Sequence, residues 1–565
     1  SGNTITAPAA TGVEVRGLAL RGGATGDLVA LATSGAANAG LTLSDCTLTA
    51  SGNSGVDITQ ASTGALTLSL SDLAFSGGGP ALRVARSSGT ATLTAFEDLT
   101  FDGAVTGDAV QLTGVVFDAT PGGAFNTVTG AVTIGSGGNG VGGGGLLLTG
   151  VSGDLALPTL VIDADGGSGL SATGTTAYTG SAGFRLTANT GAAVIAANGG
   201  PAVSADQVTL DLILNTLTST NSPSTGVSLT TVAGTFTTGA GSAITNAAST
   251  DFYVSGGSGA VTYAGTIVNT AGRSVWVLNR TSGSVTFSGA ITDTSPGQGI
   301  RLENNTGATL AFSGGLTLST ASNPAFTATG GGTVTVTGAS NTATTTTGTA
   351  LTISNTTIGA AGLTFRSLSS NGAVNGILLN NTGATAGLTV TGTGSAGSGG
   401  TIQNSTGIGV SLTSARDVSL AYLNLTGNAD DGLNAASVTN LTLNQMTLTN
   451  NGNGPTDEGI ELDNVWGALT LTNVTVTGSA HNNLALENTS ETLTTLSISA
   501  SSFQSSSPTT GAHGVLVSAR GTAAIGAIAI TGTTLSSNYS SGVFIDVADT
   551  ATITDALIQS NTLSG

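Results

Sequence analysis

Apolar and polar residues alternate along this chain in short segments of two-residue period, the pattern of half-buried strands, and no stretch sustains a helical period. The form Gly-apolar-x-apolar recurs throughout. From residue 226 the segments align on one anchor, the apolar residue after the Gly or its equivalent: Val227, Phe252, Val275, Ile300, Phe326, Leu351, Ile377, Val410, Leu433, Ile460, Leu484, Val515 and Val543. Most steps between anchors are 23 to 28 residues, with longer steps of 33 and 31. Upstream, Leu28, Val56, Leu82 and Val110 continue the series, and its register blurs between residues 111 and 226.

Within one step the alternation appears three times, as in GIRLEN, ATLAFSG and LTLST over 299–320, with Gly, Asn, Ser and Thr between. Three short strands cannot bury a face alone, but stacking each repeat on the next buries a continuous apolar column. Leucine-rich repeats would need a helix-forming half, which Thr-rich text such as TATTTTGTA does not supply, and a propeller blade needs roughly 40 residues. The fold predicted is therefore all-β, a parallel β-helix of about 20 rungs of roughly 25 residues, running as a single continuous solenoid over 1–565. Rungs spaced by roughly 4.8 Å would make a rod on the order of 100 Å long. The Gly-rich stretches 135–145 and 394–400 fall in long steps and are expected to be loops leaving the rod.

The position four residues after the anchor holds Asn279, Asn304, Asn355, Asn381, Asn464 and Asn488, with Gly330, Ser414 and Ser437 on intervening rungs. Stacked turns would place these amides above one another, each donating to the next. With this column the chain resembles the right-handed parallel β-helix of the pectate-lyase-like superfamily, whose turns carry such an asparagine ladder. The wording DEGIELDNVWGALTLTNVTVTGSAHNNLALENTS over 457–490 also resembles the β-strand repeats of very large secreted or surface-anchored bacterial proteins. The resemblance implies a right-handed coil and an extracellular or cell-surface setting. It does not select an activity, since lyases, hydrolases, adhesins and inert stalks share the fold.

Composition narrows the classes further. Against 30 acidic residues stand 11 basic ones, all Arg, for a net charge of −19; phosphate contacts need clustered cations, so nucleic acid is excluded as a partner. A hydrophobic share of 39% is too high for a disordered coil. No apolar run approaches the 18 residues of a membrane-spanning helix. Cys46, the single cysteine, lies among apolar neighbours and reads as a buried thiol. A chain that opens at Ser1 reads as a processed or excised segment. Thr317, Thr335, Thr364, Thr442, Thr470 and Thr475 stand between inward apolar residues and read as a solubilising sheet surface.

Candidate chemistry concentrates in 430–520. Relative to the anchors, Asp430, Asp457 and His481 share one position, and Asp431, Glu458, Asn482 and His513 the next. Carboxylates stacked at strand spacing repel unless protonated or bridged by a cation. Calcium wants six to eight oxygens, so Asp430, Asp431, Asp457, Glu458, Glu461 and Asp463 form a candidate calcium site, with no cofactor otherwise required. Polygalacturonase-like enzymes of this fold use clustered aspartates, a nearby GHG and an Arg/Lys pair. The matching pieces are Asp430 and Asp431 in NADDG and His513 in AHG; lysine is absent and Arg520 is the nearby arginine. Tyr253, Trp276 and Arg301, one residue after successive anchors, form a candidate ligand-binding strip able to stack on sugar rings. The leading expectation is a non-enzymatic structural or adhesive stalk or passenger segment of a bacterial surface or secreted protein, assembling into a fibre or binding a carbohydrate or cell-surface ligand. The alternative is a polysaccharide-binding or polysaccharide-degrading protein that uses the 430–520 patch.

Overall fold

Leu, Val, Ile and Phe at every second position suit a pleated strand whose one face is dry, and the computed structural model turns that pattern into a parallel β-solenoid of about 21 coils. It describes residues 1–565 apart from 1–4, 7–11, 23–25, 32–37, 61–62, 87, 295 and 509–510, and apart from the side chains of Ile5, Thr6 and Gln60. Strand makes up 57% of the chain, and the described residues include no helix. Accordingly, no helix is long and apolar enough to cross a membrane. The chain forms two compact units, residues 1–289 and 290–565.

In the first unit the anchor column runs through paired residues Val29, Val56, Leu82, Val110, Leu146, Leu170, Val203, Val227, Phe252 and Val275. One expected anchor shifts, because Val29 and not Leu28 pairs with Val56. The column also passes unbroken through the segment where the sequence register blurred. There the strands Leu146–Ala164 and Phe184–Asn198 each continue as one strand where other coils break into two, and their ladders shift register on the way. In the second unit Ile300, Phe326, Leu351, Ile377, Val410, Leu433, Ile460, Leu484, Val515 and Val543 pair in succession.

Each coil of the second unit gives three strands to three faces. The segments read from 299–320 become Ile300–Glu303, Thr309–Phe312 and Leu316–Ala321. Ile300, Leu302, Leu310, Phe312, Leu316 and Leu318 are buried, each contributing about 1.5–3 kcal/mol by transfer from water. Thr317 lies exposed between Leu316 and Leu318 and pairs with Thr292 and Thr342 on adjacent coils. Cys46, in the first unit, is buried as expected, its thiol against the Ser44 carbonyl at 3.1 Å.

The corner after the anchor strand differs from a simple amide ladder. Asn279 in the first unit, and Asn304, Gly330, Asn355, Asn381, Ser414, Ser437 and Asn464 in the second, all adopt positive φ between 48° and 78°. The left-handed region favours Gly and Asn, so the recurring residue type records a backbone requirement of the turn. Asn381 Nδ2 does donate to Asn355 Oδ1 at 3.0 Å. Asn464 Oδ1 instead accepts the N–H groups of Thr489 and Ser490. Asn488 turns inward, because its strand, Leu484–Asn488, is one residue longer; its amide bonds the N–H and C=O of Val465 at 3.0 and 2.7 Å.

An amide stack does exist elsewhere, inside the second unit at the corner before the anchor strand. Asn428 Nδ2 donates to Asn451 Oδ1 at 2.8 Å, and the Ser405 N–H donates to Asn428 Oδ1 at 3.0 Å. All three side chains are buried, each just after a positive-φ residue: Asn404, Gly427 or Asn450. The Gly-rich segment 135–145 joins Val128–Ile134 to Leu146–Ala164 and is stitched to neighbouring coils. Gly138 and Gly140 donate to Asp163 and Asp165, and Gly142 donates to the Val105 carbonyl. A Cβ on Gly142 would lie 2.6 Å from the Thr106 oxygen, so the close approach requires glycine there. The stretch 394–400 connects Leu388–Val390 to Gly400–Gln403.

Candidate functional site

The corner leading into the anchor strand is where successive coils of the second unit place acidic side chains. Asp431 precedes the strand Leu433–Ala436, and Glu458 precedes Ile460–Asp463, which carries Glu461 on its outward side. Because Asn434 and Glu461 are register partners, the two coils set all these groups together. Asp431, 3% exposed, accepts the Glu458 N–H at 2.7 Å through Oδ1 and the Asn434 amide at 3.1 Å through Oδ2. The Asn434 amide nitrogen also donates to Glu461 Oε2. Glu458 is 6% exposed; its Oε1 faces His481 Nδ1 at 2.9 Å and accepts from Asn482 at 3.2 Å. Its Oε2 is buried without a hydrogen-bond partner. One carboxylate oxygen each from Asp431, Glu458 and Glu461 lie within 4.8 Å of one another.

Such crowding disfavours negative charge. Glu461 is pushed up to about 9, first by burial and then by its neighbours Asp431, Asp463 and Glu458. Burial pushes Glu458 up to about 7, opposed by the hydrogen bonds from His481 and Asn482. Asp431 is also raised by burial, against hydrogen bonds that favour its charged form, and Asp463 is raised by burial. Among the described ion pairs, only His481 with Glu458 touches this trio.

Of the six acidic residues expected to form one site, the structure brings three side by side, Asp431, Glu458 and Glu461. Asp457 turns back to accept the N–H groups of Asn453 and Gly454 at 3.0 and 2.6 Å, closing its own loop. Asp430 accepts the N–H of Asp431 at 3.0 Å. Asp463 lies two residues along the strand from Glu461 and adds negative potential there. The histidine against the carboxylates is His481. The His513 ring lies parallel to Phe544 at 4.8 Å, while Arg520 is engaged by Asp546.

Tyr253 and Trp276, both in the first unit, are half-buried register partners whose rings meet edge to face at 5.5 Å. Arg273, which the sequence pattern did not single out, lies over the Trp276 ring at 5.7 Å. Arg301, in the second unit, bonds Glu303 on its own strand. Asn434 and Trp466 were also missed. Asn434 stands in strand text indistinguishable from its neighbours, and only register places it between two carboxylates. Trp466 lines a cavity of 180 Å³ with Arg416, Ser414, Ser437 and Thr439; it sits two residues after the corner residue Asn464, a position that the anchor count could have marked.

No protein-family model matches the chain. No curated protein sequence matches it. Among solved structures it is similar to a mutant of AlyGC, a PL6 family alginate lyase, at 10% identity over 100% of this chain and 97% of that one, with a TM-score of 0.17.

Proposed function

We propose that this chain is a structural or adhesive β-solenoid segment of an extracellular or cell-surface protein, one that presents its sheet faces to a carbohydrate, a surface or further copies of itself. The observation carrying this reading is the distribution of chemistry over the coils. The same small polar residues recur outward on coil after coil, while among the described residues the close group of three carboxylates lies at one corner of the second unit. A scaffold needs the first feature and can dispense with a catalytic cleft.

A second reading, a polysaccharide-active protein, is favoured by one specific feature. Glu458, held by His481 and pushed up to about 7, has the proton affinity of a general acid or base at neutral pH. Incubation with alginate, pectate and polygalacturonate, followed by assays for unsaturated and reducing ends, distinguishes the two. The structural reading expects no product and retention of the protein on immobilised glycan, or its self-association. Product formation that Glu458→Gln abolishes would replace it with the second reading.

A further inference from the structure

We propose that Asp431, Glu458 and Glu461 bind one divalent cation of calcium size, which fastens two successive coils of the second unit together. The acidic cluster alone would not carry this. The independent observation is Glu458 Oε2, a buried carboxylate oxygen with no hydrogen-bond partner. Its sister oxygen is occupied by His481 and Asn482, so Oε2 is the one left for an ion. Leaving such an atom unpaired is costly, and a cation supplies both the missing partner and the missing charge.

The spacing admits calcium, and coordination habit favours calcium over magnesium. Two oxygens bound to one calcium at roughly 2.3–2.6 Å can stand no more than about 5 Å apart, and the three carboxylate oxygens lie within 4.8 Å. Magnesium demands near-ideal octahedral geometry and gives up its waters reluctantly, whereas calcium accepts an irregular set of carboxylate and amide oxygens. Asn434 explains how the cation-free cluster holds together, since its amide nitrogen donates to both Asp431 and Glu461. Turning that amide over replaces a donor by Oδ1, a fourth oxygen ligand, with water completing the shell. His481, on the far oxygen of Glu458, orients that carboxylate from behind.

The test is calorimetric titration of the full chain, stripped with EDTA, with calcium chloride and separately with magnesium chloride at pH 8. One calcium per chain is expected, with magnesium weaker by about tenfold or more. Glu458→Gln and Glu461→Gln should each weaken calcium binding by about tenfold or more while the far-ultraviolet circular dichroism stays unchanged. If either variant fails to fold, Asn434→Ala supplies the same comparison. No saturable uptake by the unaltered chain at millimolar calcium, or uptake that persists unchanged in the variants, would overturn the proposal.

Discussion

At the scale of single residues, the acidic corner shows how burial, helped by neighbouring carboxylates, changes the behaviour of ordinary carboxyl groups. Glu458 and Glu461 titrate near 4.3 in an unfolded chain but at about 7 and about 9 when folded. Between those limits the folded chain holds more protons than the unfolded one, so its stability is full below the window and falls as pH rises through it. With divalent cations removed by EDTA, the urea midpoint should therefore be lower at pH 8 than at pH 5. Glu461→Gln keeps the shape of the side chain and removes its charge, so it should narrow that difference; an undiminished difference would place its origin elsewhere. Little of this was legible in the sequence. The anchor alignment put Asp431 and Glu458 at one position on adjacent coils, which proved sufficient to bring them together. It put Asp430 and Asp457 at one position too, yet each spends its carboxylate on nearby backbone N–H groups. Local hydrogen bonds of Asp within a turn compete with any longer-range assembly, and a count of positions does not register that competition.

At the scale of elements, the anchor strand is the most legible part of the protein, because its information is a simple spacing. From Ile300 to Val543 every expected anchor lies beside its expected neighbour. The position four residues on was legible as a column but not for the anticipated reason: what recurs is a left-handed corner, which Asn, Gly and Ser can each make. Where a strand runs longer, as at Leu484–Asn488, the same count lands inside the wall. Pairing fixes the consequence of an inward change. Leu351 lies between Phe326 and Ile377 on adjacent coils, fully buried. Leu351→Asp would bury an unpaired carboxyl or force the strand out of register, at a cost of several kcal/mol. The urea midpoint should fall sharply, whereas Thr352→Asp, one residue along and outward, should leave it nearly unchanged. Equal effects at the two positions would contradict the inward and outward assignment.

At the scale of the whole molecule, stability is a sum of coil-to-coil terms, because each coil contacts chiefly the coils beside it. That makes stability depend on place in the stack. A strand such as Leu433–Ala436 bonds a partner on either side, through Val410–Thr413 and Ile460–Asp463, and its inward Leu433 and Ala435 are fully buried. In the coil over 543–564 of this chain, Phe544 is 42% exposed and Leu563 64%, so less apolar burial opposes local opening there. Amide exchange followed by mass spectrometry should accordingly find Val543–Val547 and Thr552–Gln559 exchanging well before Leu433–Ala436, with protection rising coil by coil between them. Uniform protection across 433–559 would mean that these coils open as one cooperative block. In that case a cation joining the coils of Asp431 and Glu461 would protect the whole block, whereas the nearest-neighbour picture confines its effect on exchange to the coils around it.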